Sequence, residues 1–242
     1  MKIVKKVLKW MVVAFFASTI LSVVVLRFVP VFATPLMFIR LVEQHSEGKS
    51  LKMKHHWVAL EKMSPSMPVA VMASEDQRFL KHHGFDYKAI EQAAMSNLEG
   101  KRKLGGSTIT QQTAKNVFLW PGRSWVRKGL EAYFTVLIEF IWSKQRIMEV
   151  YLNSIEMGDG IYGVEAVARE HFNCHAGDLS RTNCALIAAT LPNPRKFSSK
   201  NPSNYMVKRK YAIMKQMKFI PAFPHEGQDV DPKTVEGGIY KK

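Results

Sequence analysis

Lys2, Lys5, Lys6 and Lys9 precede a predominantly apolar run from residue 10 to residue 29. A helix of that length, rising about 1.5 Å per residue, crosses the roughly 30 Å hydrocarbon core of a bilayer. Arg27 interrupts the run only near one end, where a long side chain snorkels to the headgroups. A cleaved signal peptide has the same order of basic and apolar residues. Its apolar core is shorter, however, and a small-residue cleavage site follows it, and neither holds here. The run is therefore read as a retained anchor. Lysines on its N-terminal side put that end in the cytoplasm and the remainder of the chain on the outer face, in the periplasm of a cell that has one.

The rest of the chain, about 200 residues, suits one domain with one sizeable core. The formal net charge of +15 expects polyanions: nucleic acid, an anionic bilayer surface or a phosphorylated substrate. The outward topology weakens the first, and no nucleic-acid-binding motif is present. Two cysteines, Cys174 and Cys184, are too few for a disulfide framework, although one disulfide is open to a chain in an oxidising compartment. Cys184 lies in an apolar run and reads as core. Four segments follow: residues 1–33, basic stub and anchor; 34–56, a membrane-proximal connector; 57–219, the body; and 220–242, a Pro/Gly/Lys-rich tail read as flexible. Within the connector, residues 34–41 combine Met37, Phe38, Ile39 and Leu41 with Arg40, which suits the membrane interface as well as a continuation of the anchor.

The body reads as all-α. Helices are expected over 65–79, from Asp86 as a cap to 98, from Ser107 or Thr108 to 117, over 125–142 behind Ser124, and over 144–153, 164–172, 180–189 and 205–219. Pro121-Gly122 marks a turn, and no run of alternating strands stands out.

Four stretches carry chemistry. In the first, Glu75 follows the apolar run 69–73 and opens a crowded sequence with Asp76, Phe79, His82, His83 and Asp86. Low-dielectric surroundings suit such a carboxylate to proton transfer, while an ordinary solvated helix end fits equally. The histidines have no second ligand pair at metal spacing, which favours a hydrogen-bonding role. In the second, Gly105-Gly106 precedes a helix start at Ser107-Thr108, and Gln112, Lys115 and Asn116 share one helix face. Free N–H groups, a positive dipole end and a face of donors would cradle a pyrophosphate; a flexible loop with an exposed polar face is the alternative. The Walker spacing is absent. In the third, Arg127 and Lys128 stand near a helix start and Arg127 precedes Glu131 by one turn, an order that local helix energetics do not favour. Glu139 reads as structural. The fourth, 144–153 continuing to 166, reads as the frame of a cleft.

Taken together and in this order, these stretches resemble the four motifs of the glycosyltransferase family that builds peptidoglycan strands, the module that also forms the front half of bifunctional penicillin-binding proteins. The match is closest to the family's stand-alone, monofunctional members. Residues 74–79 (Ser-Glu-Asp-Gln-Arg-Phe), 119–125 (Leu-Trp-Pro-Gly-Arg-Ser-Trp) and 191–194 (Leu-Pro-Asn-Pro) support it, and the resemblance runs from the anchor to about residue 217. The loop at 173–175 and the tail beyond 219 depart from the pattern without touching the motifs.

The resemblance implies an all-α, lysozyme-like, two-lobed glycosyltransferase domain behind a single transmembrane helix, in an inner membrane. It implies that Glu75 is the general base on the acceptor sugar's 4-hydroxyl. Lys115 and Arg127 then stabilise the departing pyrophosphate, and Glu131 orients those cations or binds a divalent ion. Ser107, Thr108, Gln112 and Asn116 line the donor site, and Asp76, Phe79 and His82 shape the surroundings of Glu75. Implied partners are lipid II, the growing glycan on undecaprenyl pyrophosphate, the membrane and other wall-synthesis proteins, with no nucleic acid. No cofactor is obligatory, with Mg or Mn at the pyrophosphate as the one candidate. The chain leaves no room for a transpeptidase domain, so cross-linking is expected from other proteins. A wall-cleaving enzyme gains nothing from a pyrophosphate cradle, and a non-catalytic scaffold has no use for intact Glu75 and Glu131.

Overall fold

The computed structural model describes residues 1–98, 106–122 and 124–224. The basic glycine-rich loop expected over 100–106 therefore lies, apart from Gly106, outside the described residues, as do Arg123 and the tail from 225.

The segment expected to be an anchor is one helix, α1 (Lys2–Phe28), long and apolar enough to cross a membrane, and its outer surface is exposed along most of its length. Its C-terminal half docks on the body. Val23 is fully buried, and the Trp142 indole N–H donates to the Val23 carbonyl at 2.7 Å. Arg146 donates to the carbonyls of Leu26 and Val29 at 2.8 and 2.6 Å. Carbonyls in the last turn of a helix lack intrahelical partners, and a cation there also meets the negative dipole end.

Residues 34–56 are more than a connector. Thr34 caps α2 (Pro35–Ser46), which has proline in its first turn, where the missing N–H costs nothing. This helix takes up residues 35–46 of that segment. Buried Gln44 binds the Lys52 backbone with both ends of its amide, at 2.7 and 3.2 Å. That clamp leads the chain into a short strand, β1 (Lys54–His55). β1 pairs in parallel with β3 (Ile161–Tyr162), which pairs antiparallel with β2 (Glu156–Gly158). The chain is mostly helical, as expected, and this small sheet is an addition to it. Strands of two or three residues are too short to show a period of two.

The body's helices are α3 (Ser66–Glu75), α4 (Tyr87–Leu98), α5 (Ile109–Phe118), α6 (Trp125–Ile141), α7 (Lys144–Ser154), α8 (Val164–Val167, continued by a π-helical turn to Phe172), α9 (Arg181–Ala188) and α10 (Asn204–Gln216). They pack as two groups on one continuous core: α3 with α9 and α10, and α5 with α6 and α7, with α1 laid on α6. α3 is buried from Met67 to Ala73 and is the central helix of the first group. It ends at Glu75, four residues earlier than the apolar pattern suggests, because Asp76 leaves the helix and turns its side chain to other partners. Cys174 and Cys184 are both free thiols, the latter fully buried.

A candidate active-site cleft

Glu75 sits at the C-terminal end of α3, on the border between the two helix groups. Its carboxylate accepts from the Ser74 hydroxyl at 2.8 Å and from the Gln112 amide of α5 at 3.2 Å. Arg209 of α10 approaches it at 3.7 Å and donates to the Ser74 oxygen at 3.1 Å. The Gln112 amide is itself aimed. Its carbonyl oxygen accepts from the Tyr151 hydroxyl of α7 at 3.1 Å, which leaves the NH2 facing Glu75. Tyr151 is completely buried. Desolvation first, and the Glu75 and Asp76 charges second, push its pKa well above the usual phenol value, so it donates throughout the physiological range. The Glu75 side chain keeps 15% of its surface exposed, so a hydroxyl arriving in the cleft can reach it.

The turn behind Glu75 is held from inside. Asp76 is buried; it accepts from the Ile109 N–H at the start of α5 at 3.0 Å and pairs with His82 at 3.0 Å. Thr108 forms a capping box with Gln111 and donates its hydroxyl to the Gly84 carbonyl at 2.6 Å. Gly84 has φ +86°, and a Cβ there would meet Thr135 at 2.8 Å, so the turn requires glycine. Lys144 closes the arrangement. Its ammonium donates to the His82 carbonyl and to Glu139, each at 2.7 Å, and lies 4.5 Å from the Phe79 ring centroid. Burial lowers the Lys144 pKa, and Glu139 opposes that shift.

These contacts relocate three expected site residues. Phe79 has no exposed surface, and Asp76 and His82 retain only 6% and 7%. They brace the turn that carries Glu75 and do not line the cleft. Thr108, at 2%, is likewise a helix cap, and Ser107 is exposed just ahead of α5, outside the cavity described next.

A cavity of about 350 Å³ opens beside Gln112. Gln112, Lys115 and Asn116 line one wall, Arg127 of α6 a second, and Arg40 of α2 with Glu156 a third. Among the described residues, the Nε–H of Arg127 is buried without a partner. Desolvation lowers the Lys115 pKa; Glu131 and Glu75 pull it up, while Arg127 and Lys128 push it down. Lys115 thus feels both carboxylates that the sequence singles out. Burial disfavours the Arg40 charge, but the carboxylates of Glu43 and Glu156 outweigh it and raise the pKa, so this guanidinium too is held charged. The cavity therefore offers cationic donors that the protein matches only in part. Such a site suits a multiply charged anion.

Glu131, expected among the catalytic residues, is 3% exposed and does not line the cavity. Arg127 takes one of its oxygens at 2.9 Å and Lys128 the other at 2.5 Å. It is an orienting anion for the two cations, and this explains the order of charges that helix energetics alone would not choose.

The donor set also bears on metal binding. Asp76, His82 and Asp86 bring their ligand atoms within 4.8 Å of one another. Asp76 is engaged as described, and Asp86 accepts from Arg78 at 3.0 Å and from the Ala89 N–H at 3.1 Å. Beside the cavity, Glu131 is saturated by its two cations, and Glu156 accepts from the Gly160 N–H while facing Arg40. No vacant carboxylate among these faces the cavity, so the residues present do not fit a protein-held divalent ion there.

Arg209, Ser74, Tyr151 and Arg40 were not expected at the site. Ser74 lies in the 74–79 motif and Tyr151 in the stretch read as the frame of a cleft, but only folding brings positions 74, 112, 151 and 209 together.

Residues 43–218 match the family model described as Transglycosylase. The chain belongs to the transglycosylase family. Among curated members, it is 57% identical over 234 residues to the biosynthetic peptidoglycan transglycosylase of Bacteroides thetaiotaomicron, covering 95% of this chain and 94% of that one. The proteins of the same name from Bdellovibrio bacteriovorus and Caulobacter vibrioides are 53% and 48% identical, over 89% and 88% of this chain and 87% and 93% of theirs. The transglycosylase match takes in Glu75, Gln112, Lys115, Arg127 and Glu131, and begins three residues after Arg40.

Proposed function

We propose that this transglycosylase is a membrane-anchored peptidoglycan glycosyltransferase that polymerises lipid II into β-1,4-linked glycan strands for bacterial cell-wall synthesis. The observation that carries the reading is the pairing of an oriented carboxylate, Glu75, with a neighbouring cavity lined by the cations Lys115 and Arg127, the latter with a buried Nε–H that has no partner among the described residues. A lipid-linked disaccharide pyrophosphate needs both.

In this reading Glu75 accepts the proton of the acceptor sugar's 4-hydroxyl. The oxygen's electron pair forms the new bond to the anomeric carbon of the growing chain, with inversion. The bond from that carbon to the pyrophosphate oxygen breaks, and its electrons leave with undecaprenyl pyrophosphate. Negative charge grows on the leaving group as the bond breaks, and fixed cations aimed there lower the barrier. Gln112 and Ser74, which donate to Glu75, hold its carboxylate toward the acceptor. A strong protonating acid is unnecessary because pyrophosphate already leaves readily, unlike the alcohol in glycoside hydrolysis.

The anchor fits the substrate, whose polyprenyl tail stays in the bilayer. α1 meets the length and apolarity of a membrane span, and its docked C-terminal half supports retention over cleavage. The lysines ahead of it support a cytoplasmic N-terminus and a catalytic domain on the periplasmic face of an inner membrane. Any divalent ion would be carried in by the pyrophosphate, and other wall-synthesis proteins would supply cross-linking.

The test is polymerisation of purified lipid II by the detergent-solubilised protein, with Glu75→Gln alongside. Wild type should give long glycan that muramidase digests, and the variant, equally well folded, should give none. A folded wild type that makes no product across detergents would overturn the assignment in favour of a scaffold. Full activity in the variant would remove Glu75 from the base role.

A further inference from the structure

Lys115 and Arg127 come from the stretches that the family resemblance singles out, but a third cation lines the same cavity. Arg40 belongs to α2, the helix that follows the anchor, and precedes the segment matched by the family model. Leu36, one turn earlier, lines the cavity too, so this face of α2 is turned to the cleft. Phe38 and Val42 are exposed, 56% and 69%, on a different face. A short amphipathic helix directly after a membrane span sits at headgroup depth, which is also where a polyprenyl-linked phosphate lies.

The Arg40 guanidinium is only partly matched. One terminal nitrogen donates to Glu43. Its Nε is 3.5 Å from a Glu156 oxygen without making a hydrogen bond, and is buried with no partner among the described residues. A buried N–H of this kind normally finds an acceptor. Arg127 presents the same unpartnered Nε in the same cavity. When the sugar–oxygen bond breaks, the leaving pyrophosphate gains roughly one further negative charge, and a cation placed there acts on the transition state more than on the bound substrate.

We propose that Arg40 is a third pyrophosphate ligand, supplied by the membrane-proximal helix, which receives the charge that develops on the departing polyprenyl pyrophosphate. The inference rests on the glycosyltransferase reading of the cleft. The planar guanidinium fork suits phosphate oxygens, and Glu43 and Glu156 hold it at the cavity wall.

The experiment uses the full chain in detergent and reads binding and turnover separately. Binding is measured with farnesyl pyrophosphate and farnesyl monophosphate as probes, and turnover with lipid II. Arg40→Gln should lower kcat about tenfold with a smaller change in KM, and should weaken the pyrophosphate probe about tenfold while leaving the monophosphate nearly unchanged. Arg40→Lys should recover part of both. Glu43→Gln breaks the ion pair that a purely structural Arg40 would need, and should lower the pyrophosphate-to-monophosphate ratio less than Arg40→Gln does, because the guanidinium stays in place beside Glu156. If Arg40→Gln and Glu43→Gln lose activity together, with the pyrophosphate-to-monophosphate ratio unchanged, Arg40 merely ties down α2. Wild type that polymerises lipid II, with an Arg40→Gln variant of unaltered ratio and kcat, overturns the Arg40 assignment alone. Wild type that neither polymerises nor prefers the pyrophosphate probe overturns the underlying reading, and this inference with it.

Discussion

Replacing Tyr151 with phenylalanine tests whether the Glu75 carboxylate is held through a relay. The substitution deletes one oxygen from a completely buried ring. The Gln112 carbonyl then loses its 3.1 Å donor, and nothing prevents the amide from turning its oxygen toward Glu75 in place of the N–H that stands 3.2 Å away. A neutral hydrogen bond of this kind is worth about 1 kcal/mol net, and Gln112 borders the cleft, where water can replace the lost donor. If that whole amount comes out of the positioning of Glu75, kcat falls about fivefold. The same loss lowers Tm by only about 2–4 °C for a chain of this size. A continuous lipid II assay gives kcat and KM, and a thermal melt gives the stability change. The decisive comparison is a double-mutant cycle. In a Gln112→Ala background the Tyr151 hydroxyl has no amide to aim, so Tyr151→Phe should cause no further loss. Additive losses, or a lowered Tm with unchanged kcat, would refute the relay and leave Tyr151 a packing residue.

Two other predictions follow from the geometry. The Lys115 pKa is depressed, so its charge is lost at lower pH than the ordinary lysine value of 10.5; pyrophosphate affinity should therefore decline on the alkaline side below that pH, and Lys115→Arg should move this limb upward, which a pH profile of kcat/KM will show. Gly163 has φ +79° and a Cβ there would stand 2.5 Å from the Asn153 carbonyl oxygen, so Gly163→Ala should cost about 2 kcal/mol or more and lower Tm by about 4–8 °C in a melt, whereas an unchanged Tm would mean that this turn is free to relax.

Much of the architecture was legible from local pattern. The anchor is a matter of length and apolarity, and the helix starts behind Thr108 and Ser124 follow from side chains that satisfy orphan N–H groups. The shared face of Gln112, Lys115 and Asn116 follows from helical periodicity. The odd order of charges at Arg127 and Glu131 also pointed to a site, because it conflicts with what a solitary helix prefers.

What periodicity does not encode is which partner a side chain meets across the fold. Asp76, Phe79 and His82 read as site residues because they neighbour Glu75 in sequence, yet packing turns them inward, where Asp76 caps α5 and Phe79 lies under Lys144. Tyr151 lies in a stretch read only as the frame of a cleft and Arg209 in one read as ordinary helix, yet the contacts of α7 with α5 and of α10 with α3 carry them to the Glu75 site. β1 and the cleft-lining face of α2 were hidden for the same reason, since β1 pairs with β3 and α2 faces α5 and α6 far along the chain, while β2 and β3 pair locally but are too short to show a period. The sequence by itself determined the apolar N-terminal helix, the other helices and the chemical groups available, since these rest on local propensity and capping. The tertiary structure alone decided which of those groups face the cleft and which brace it, since that depends on how buried faces pack and where each buried polar atom finds its partner.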